Sequence, residues 1–210
     1  MKKRLIIIGA GGLGREIFGY VTQNPDPDYD LAGFLDDDAD ALQGKNLPVG
    51  VLGSTADYRP GSHDVFLPGL GDPKTKLRLA RRMLERGAKF ANYIHPSAIL
   101  GYRAKLGAGI FVFPGAIIAP YATIGDFVSI GGNATVGHDA TIGDGCTLCG
   151  HAEINGWTAL AEGVFLGSHA TVLPKVKVGA FAVIGAASAC ISSVAPATTV
   201  IGVPAKRLLL

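Results

Sequence analysis

Five histidines are the side chains best suited to acid–base chemistry in this chain: His63, His95, His138, His151 and His169. An exposed imidazole with a pKa near neutrality can take a proton from an attacking amine or hydroxyl. His138, which an acidic residue follows directly, is the strongest candidate for such a base. We expect His95 to be structural because it precedes a proline, and His63 has no evident partner.

A second chemical pattern stands near the start of the chain, where a glycine-rich segment satisfies G-x-G-x-x-G and an acidic pair follows about 20 residues later. Backbone amides and a helix start can hold a diphosphate, and carboxylates can accept hydrogen bonds from ribose hydroxyls or base edges. A full dinucleotide site needs two mononucleotide halves, and a front segment of about 90 residues supplies only one. We therefore predict a nucleotide-fragment site rather than an NAD site. Its predicted substrate-binding residues are Gly9, Gly11, Gly12, Gly14, Asp36 and Asp37. The alternative is that these glycines only form a tight turn.

The back half of the chain contains a six-residue repeat that predicts the fold on which these side chains lie. An aliphatic residue recurs at every sixth position from Ile94 to Ile184 without interruption. A period of six fits neither a helix nor a two-sided strand, but it fits a chain that forms one short strand and a turn on each of three faces. The sixteen residues are Ile94, Leu100, Leu106, Val112, Ile118, Ile124, Ile130, Val136, Ile142, Leu148, Ile154, Leu160, Leu166, Val172, Val178 and Ile184.

This repeat resembles that of the hexapeptide-repeat acyltransferases, whose domain is a left-handed parallel β-helix. Eighteen residues then form one triangular coil. Before the repeats, strands predicted at 3–10, 31–35 and 63–67 alternate with helices predicted at 15–21 and 74–86, which favours a small parallel α/β unit. We therefore predict an α/β half-Rossmann unit at 1–93, a left-handed parallel β-helix at 94–195 and a C-terminal segment at 196–210.

The whole chain resembles the sialic-acid, bacillosamine and perosamine pathway acetyltransferases. The resemblance is carried by the glycine turn, by Gly33-Phe34-Leu35-Asp36-Asp37, by the repeats and by Ile201-Gly202-Val203-Pro204-Ala205-Lys206. It implies an acetyl-CoA-dependent N-acetyltransferase whose front unit binds a nucleotide-linked amino sugar of the 4-amino-4,6-dideoxy type. It also implies acetyl-CoA as co-substrate and a homotrimer.

The resemblance implies site residues as well. His138 would be the base for direct attack and Asp139 the carboxylate that orients or polarises its ring. Gly156 lies eighteen residues after His138, one coil away on the same face, where a bare backbone amide could stabilise an oxyanion. The other residues expected near the coenzyme are Gly167, Gly185, Pro204 and Lys206. One departure is Thr147, because several members of the group carry a second histidine at that position.

Other readings stay open at this stage. An O-acetyl transfer to a sugar hydroxyl is the nearest variant, and a nonenzymatic trimeric scaffold that binds a nucleotide sugar is an alternative from another class. An NAD-dependent reductase would need the missing second half of the dinucleotide site. His151 and His169, one coil apart, would form either a metal site or, as we favour, a polar ladder.

Composition and charge indicate which kinds of partner the protein binds. A formal net charge of +2 without a basic stripe does not favour nucleic acid. We find no apolar run long enough for a signal peptide or membrane span, so we expect a cytoplasmic protein with no membrane span. Cys146, Cys149 and Cys190 are expected to be reduced, and Cys146 to fill a small inward position. The C-x-x-C pair lacks a second pair for zinc, so we expect no metal.

Overall fold

The structure is a computed structural model that describes residues 2–208. Met1, Leu209 and Leu210 fall within the predicted domain limits but lie outside the described residues. The chain forms a parallel α/β unit followed by a left-handed β-helix, so the predicted fold class is confirmed.

The front unit is a five-stranded sheet with two helices. Its buried centre is β1, whose last four residues are aliphatic and fully enclosed because both neighbouring strands pair with it in parallel. The strands lie in the order β3-β2-β1-β4-β5. Its elements are β1 (Lys3–Ile8), α1 (Gly12–Gln23), β2 (Tyr29–Leu35), β3 (Val51–Gly53), β4 (Asp64–Pro68), α2 (Pro73–Glu85) and β5 (Lys89–Phe90).

The strand order reverses beside β1, since the chain continues to one side through β2 and to the other through β4. In open parallel sheets, ligands bind at the carboxyl ends of the strands at such a switch point. The glycine-rich segment follows β1 at this edge, and Gly69 follows β4 beside it. The sheet therefore places the predicted phosphate-binding turn where this topology opens a crevice.

The solenoid consists of short strands on three faces, and from β6 to β19 each two-residue strand pairs in parallel with the strand eighteen residues later. A last strand, β24, folds back antiparallel onto β23. The strands are β6 (Tyr93–Ile94), β7 (Ile99–Leu100), β8 (Lys105–Leu106), β9 (Phe111–Val112), β10 (Ile117–Ile118), β11 (Thr123–Ile124), β12 (Ser129–Ile130), β13 (Thr135–Val136), β14 (Thr141–Ile142), β15 (Thr147–Leu148), β16 (Glu153–Ile154), β17 (Ala159–Leu160), β18 (Phe165–Leu166), β19 (Thr171–Val172), β20 (Lys177–Val178), β21 (Val183–Ile184), β22 (Ala189–Cys190), β23 (Thr199–Ile201) and β24 (Lys206–Arg207).

The sixth-position aliphatic residues fill the interior of the prism. From Val112 to Ile184 every one of them is buried, in a single cluster with the small residues of the corners. The first three, Ile94, Leu100 and Leu106, are only partly covered because no earlier coil stacks beneath them. The repeat thus supplies a continuous core whose open end lies at the first coil.

Helix α2 fastens the front unit to the solenoid. Its residue Leu77 packs so closely on the solenoid turn at Gly145 that a methyl group there would come within 2.4 Å of the leucine side chain. Arg81 forms an ion pair with Glu162 farther along the same helix face. Within residues 2–208, no helix has the length and apolar character needed to cross a membrane.

Candidate functional site

His138 and Asp139 lie together at a solenoid corner between β13 and β14. The imidazole Nδ1 and the carboxylate Oδ2 are 2.9 Å apart, and each side chain is about half exposed. Asp139 adopts a left-handed backbone conformation, with φ of 59°, and its N–H donates to Pro120 O of the preceding coil. The turn therefore fixes the carboxylate against Nδ1 and leaves Nε2 as the nitrogen available to a substrate.

Gly156 lies directly beside that second nitrogen, one coil later. A methyl group at this position would come within 2.7 Å of His138 Nε2, so only glycine leaves the ring its place. Among residues 2–208, the Gly156 N–H makes no hydrogen bond, whereas its carbonyl accepts from Lys175 N–H. A free backbone donor and a free imidazole nitrogen thus stand side by side, the pair needed for proton removal and oxyanion stabilisation.

Trp157 forms the wall next to this pair. Its ring meets the His138 imidazole edge to face, with centroids 4.4 Å apart, and 55% of the residue remains exposed. A groove of about 280 Å³ runs from this corner across the face that carries Ile117, Thr135 and Glu153. Ile117 is itself exposed, so the groove is open to solvent along this face and is bounded on one side by Trp157.

The glycine turn of the front unit has two kinds of glycine. Gly14 is required by packing, because a methyl group there would lie 1.9 Å from Gly9 O. Gly11 and Gly12 face open space, and α1 begins at Gly12 with no side chain capping its first amides. These uncapped amides are the donors that an anionic group such as a diphosphate would use.

The two predicted acidic residues already have partners within the chain. Asp36 accepts from Ala10 N–H at 2.7 Å, which braces the glycine turn, and from Asp38 N–H at 3.0 Å. One oxygen of Asp37 accepts from both the N–H and the hydroxyl of Thr55. The sequence did not predict these bracing roles, and binding of a nucleotide through either carboxylate stays a prediction.

A second cavity, of about 570 Å³, lies between the two domains. Leu13 and Glu16 of α1 line one side, and Thr147, Cys149 and His151 of the solenoid line the other. Burial raises the pKa of Glu16 in this setting. His138 lines the other groove, so within residues 2–208 the glycine-turn side and the predicted base border two different cavities.

The residues predicted near the coenzyme lie in the last coils. Methyl groups on Gly167 and Gly185 would come within 2.6 Å of Ala186 N and of the Ile201 side chain, so close packing of coils accounts for both glycines. Pro204 and Lys206 are exposed beyond β23, and the Val203–Pro204 peptide bond is cis. Contact of these four residues with a coenzyme stays a prediction.

The other histidines and the cysteines lie away from this corner. His151 and His169 stack with their rings 4.6 Å apart and within 3° of parallel, as the ladder interpretation requires. Cys146 is fully buried, and burial raises its pKa to about 12. Over the described part of the chain, no three His, Cys, Asp or Glu residues gather as metal ligands would.

Sequence reasoning missed one buried functional group, Lys76 of α2. Its Nζ reaches Thr147 Oγ1 at 2.8 Å, so it contacts the position at which the sequence departs from the resembled group. The available signal was the helical spacing, since Lys76 stands three, four and seven residues before Leu79, Ala80 and Met83 on the buried face.

Two segments of the chain match known protein families. Residues 4–83 match the family described as PglD N-terminal domain, and residues 121–156 match bacterial transferase hexapeptide (six repeats). No curated protein sequence matches the chain significantly. The resemblance inferred from the sequence motifs is therefore confirmed.

Solved structures that are similar over nearly the whole chain include the following three. PerB from Caulobacter crescentus, in complex with CoA and GDP-perosamine, is 29% identical with a TM-score of 0.88, covering 98% of this chain and 97% of PerB. The acetyltransferase domain of PglB from Neisseria gonorrhoeae, in complex with acetyl coenzyme A, is 25% identical with a TM-score of 0.86, covering 99% and 100%. WeeI from Acinetobacter baumannii, 23% identical with a TM-score of 0.84 over 97% and 99%, shares the fold.

Proposed function

We propose that this chain, which joins a PglD-type front domain to a hexapeptide-repeat solenoid, is an acetyl-CoA-dependent N-acetyltransferase that acts on a nucleotide-linked amino sugar. The observation that carries the proposal is the corner where His138 Nε2 stands beside the free Gly156 amide, with Asp139 on the opposite ring nitrogen. The similarity to PerB, whose structure holds CoA and GDP-perosamine, supports both substrate classes. The acceptor we propose is of the 4-amino-4,6-dideoxy type.

Proton transfer is the first task of the site. His138 Nε2 accepts the proton as the sugar amine attacks the acetyl carbonyl, and Asp139 at Nδ1 stabilises the imidazolium that forms. Bound acetyl-CoA supplies the thioester. The Gly156 amide donates to the carbonyl oxygen as negative charge develops there, and the C–S bond breaks to release the CoA thiolate. The amine nitrogen gains the acetyl group directly, without a covalent enzyme intermediate.

The acceptor is assigned to the front unit. The uncapped start of α1 would hold the diphosphate, and Asp36 keeps the glycine turn open by bracing Ala10. Since the glycine-turn side and His138 border different cavities of one chain, a second copy must bring its base to the bound sugar. We therefore propose the homotrimer expected from the sequence, with a shared active site. A cytoplasmic location stays a prediction.

Product analysis tests this function. Purified protein is incubated with acetyl-CoA and UDP-, GDP- or dTDP-linked 4-amino sugars, and mass spectrometry identifies the acetylated product. Stability of the product to hydroxylamine separates an amide from an ester, and so separates N-acetylation from O-acetylation. Transfer to a sugar hydroxyl would replace the N-acetyl proposal, and stable binding without any transfer would favour the scaffold alternative.

Mixing of variants tests the shared site. We expect a His138→Ala protein and an Asp36→Ala protein, each weakly active alone, to regain activity when refolded together, because mixed trimers hold some intact pairs of front unit and base. Mixtures no more active than the sum of their components would contradict a site built from two copies.

A further inference from the structure

Lys76 is a fully buried basic residue where the two domains meet. It belongs to α2 of the front unit, yet its Nζ reaches three oxygens of the solenoid. These are Thr147 Oγ1 at 2.8 Å, Cys146 O at 3.1 Å and Ser129 Oγ at 3.2 Å. A buried amine is unfavourable unless its hydrogen bonds are satisfied. The solenoid therefore provides a receptor for this one side chain.

The directions of these hydrogen bonds can be assigned. The Thr147 hydroxyl lies 2.8 Å from Gly71 O, and since a carbonyl only accepts, this hydroxyl donates to Gly71 and accepts from Lys76. Cys146 O must accept a second N–H. The Ser129 hydroxyl oxygen accepts from Lys76 Nζ at 3.2 Å and has no other hydrogen-bond partner among residues 2–208.

Burial also changes the charge state of the Lys76 amine. Burial lowers the pKa of Lys76 to about 7, against an ordinary value of 10.5. Donation to Thr147 Oγ1, Cys146 O and Ser129 Oγ uses the three N–H groups of the ammonium form, and the neutral amine keeps two of them. Lys76 is therefore a buried amine that three solenoid oxygens hold in place, and it changes charge near pH 7.

The contact continues into the front unit at the edge that carries the glycine turn. Gly71, which accepts from Thr147, follows β4 two residues after Gly69. A methyl group on Gly69 would lie 2.8 Å from Gly14 Cα and 3.1 Å from Gly9 O, so this loop and the glycine turn pack backbone to backbone. The loop that carries Gly71 is therefore in direct contact with the glycine turn.

We propose that Lys76 is a positioning residue for the acceptor, because through Thr147 and Gly71 it sets where the glycine turn stands over the solenoid. This inference rests on the proposed function, which assigns the nucleotide-linked sugar to that turn. Lys76 takes no part in proton transfer. Its loss should therefore raise the KM for the nucleotide-linked sugar while the KM for acetyl-CoA stays unchanged.

A test that needs no activity uses the cavity thiol. Of the three cysteines in the chain, Cys146 and Cys190 are buried and Cys149 is partly exposed in the interdomain cavity that Thr147 and Gly71 also line. The rate at which an aromatic disulfide reagent labels Cys149 reports access to this cavity, with a Cys149→Ser protein to verify the site. Removal of the nearby amine would by itself disfavour the thiolate, so a faster rate reports opening.

The variants are Lys76→Met, Thr147→Val and Thr147→Ser, with Lys74→Met as the matched control because Lys74 is an exposed lysine on the same helix. We expect Lys76→Met and Thr147→Val to speed labelling about tenfold, equivalent to about 1.4 kcal/mol of easier local opening. Thr147→Ser keeps the hydroxyl and should label like wild type. The double variant should label no faster than either single one, because both break the same link.

Kinetics then connect the link to the acceptor. We expect Lys76→Met to raise the KM for the nucleotide-linked sugar about tenfold and to leave the KM for acetyl-CoA within about twofold. Should Lys76→Met not fold, the Thr147→Val and Thr147→Ser pair gives the same comparison. Unchanged labelling in Thr147→Val, or equal effects on both substrates, overturns the proposal. If the wild type acetylates no amino sugar, the proposed function fails. The labelling rates of Cys149 still decide whether Lys76 keeps the interdomain cavity closed.

Discussion

Replacement of Lys76 by Met should change how the stability of the protein depends on pH. The folded chain buries Lys76, and this burial lowers its pKa to about 7, whereas the unfolded chain returns it to an ordinary value of 10.5. Between these two values the unfolded state binds the extra proton. Stability of the wild type must therefore rise with pH in this window, and the Met variant lacks this contribution.

The size of the effect follows from one proton of difference. Full linkage of one proton is worth about 1.4 kcal/mol per pH unit, and the folded chain is about half protonated near pH 7. Between about pH 7 and about pH 9 the free energy of unfolding of the wild type should then rise by about 2 kcal/mol more than that of the Lys76→Met variant. No discount for solvent screening applies, because Lys76 is completely buried.

The titratable groups near Lys76 do not produce the same pH dependence of stability. Desolvation raises the pKa of Cys146 to about 12, above the window. A backbone hydrogen bond from Thr75 lowers the pKa of Asp72, which keeps this carboxylate ionised throughout. The Cys149 thiol, whose pKa is raised by burial, is present in both proteins and largely cancels in their difference.

Urea unfolding at a series of pH values and at one fixed protein concentration measures the difference, since association would otherwise shift apparent stability. The Lys74→Met protein should follow wild type at every pH. A difference between wild type and Lys76→Met that stays constant, or that shrinks as pH rises, would refute a buried amine of lowered pKa.

Three further predictions concern the proposed site. His138→Ala should lower kcat by about 10²-fold or more and leave acetyl-CoA affinity, measured by calorimetry, near its wild-type value; full turnover would exclude the base role. Gly156→Ala should cause a loss of similar size, because its methyl group would stand 2.7 Å from Nε2, and the double variant should lose little more; a normal kcat would show that the ring need not occupy this place. Asp36→Ala should raise the KM for the nucleotide-linked sugar, as the glycine turn loses its brace to Ala10; a change confined to kcat would count against a sugar-nucleotide site there.

The solenoid could be predicted almost completely because its period is a physical requirement. Each coil must place one branched or aliphatic residue inward on each face, and a single shift would turn that side chain outward. The same rule suffices to place Gly156 beside His138, because eighteen residues separate the two positions and one coil has that length. The rule fails to predict burial at the first coil. Ile94 and Leu100 follow the pattern but stay exposed, because no earlier coil stacks on them.

Short edge strands and contacts between domains carry no comparable signal. Strands β3 and β5 have three and two residues, too few for a periodic pattern to appear. The partnership of Lys76 with Thr147 joins residues 71 positions apart, and a lysine on a helix normally indicates solvent. Asp37 was predicted from the same acidic run as Asp36, yet its carboxylate is turned toward Thr55.

The separation of the two cavities constrains how the protein can work. Helix α2 holds the front unit through Leu77, Arg81 and Lys76, so the glycine turn cannot move to the corner that carries His138 without breaking these contacts. The register of the coils equally fixes His138, because its neighbours in the stack are hydrogen bonded above and below. Under the function we propose, the front unit of one copy and the imidazole of another form one site, so the accuracy with which Lys76 seats the front unit would set how well the sugar and the base are aligned.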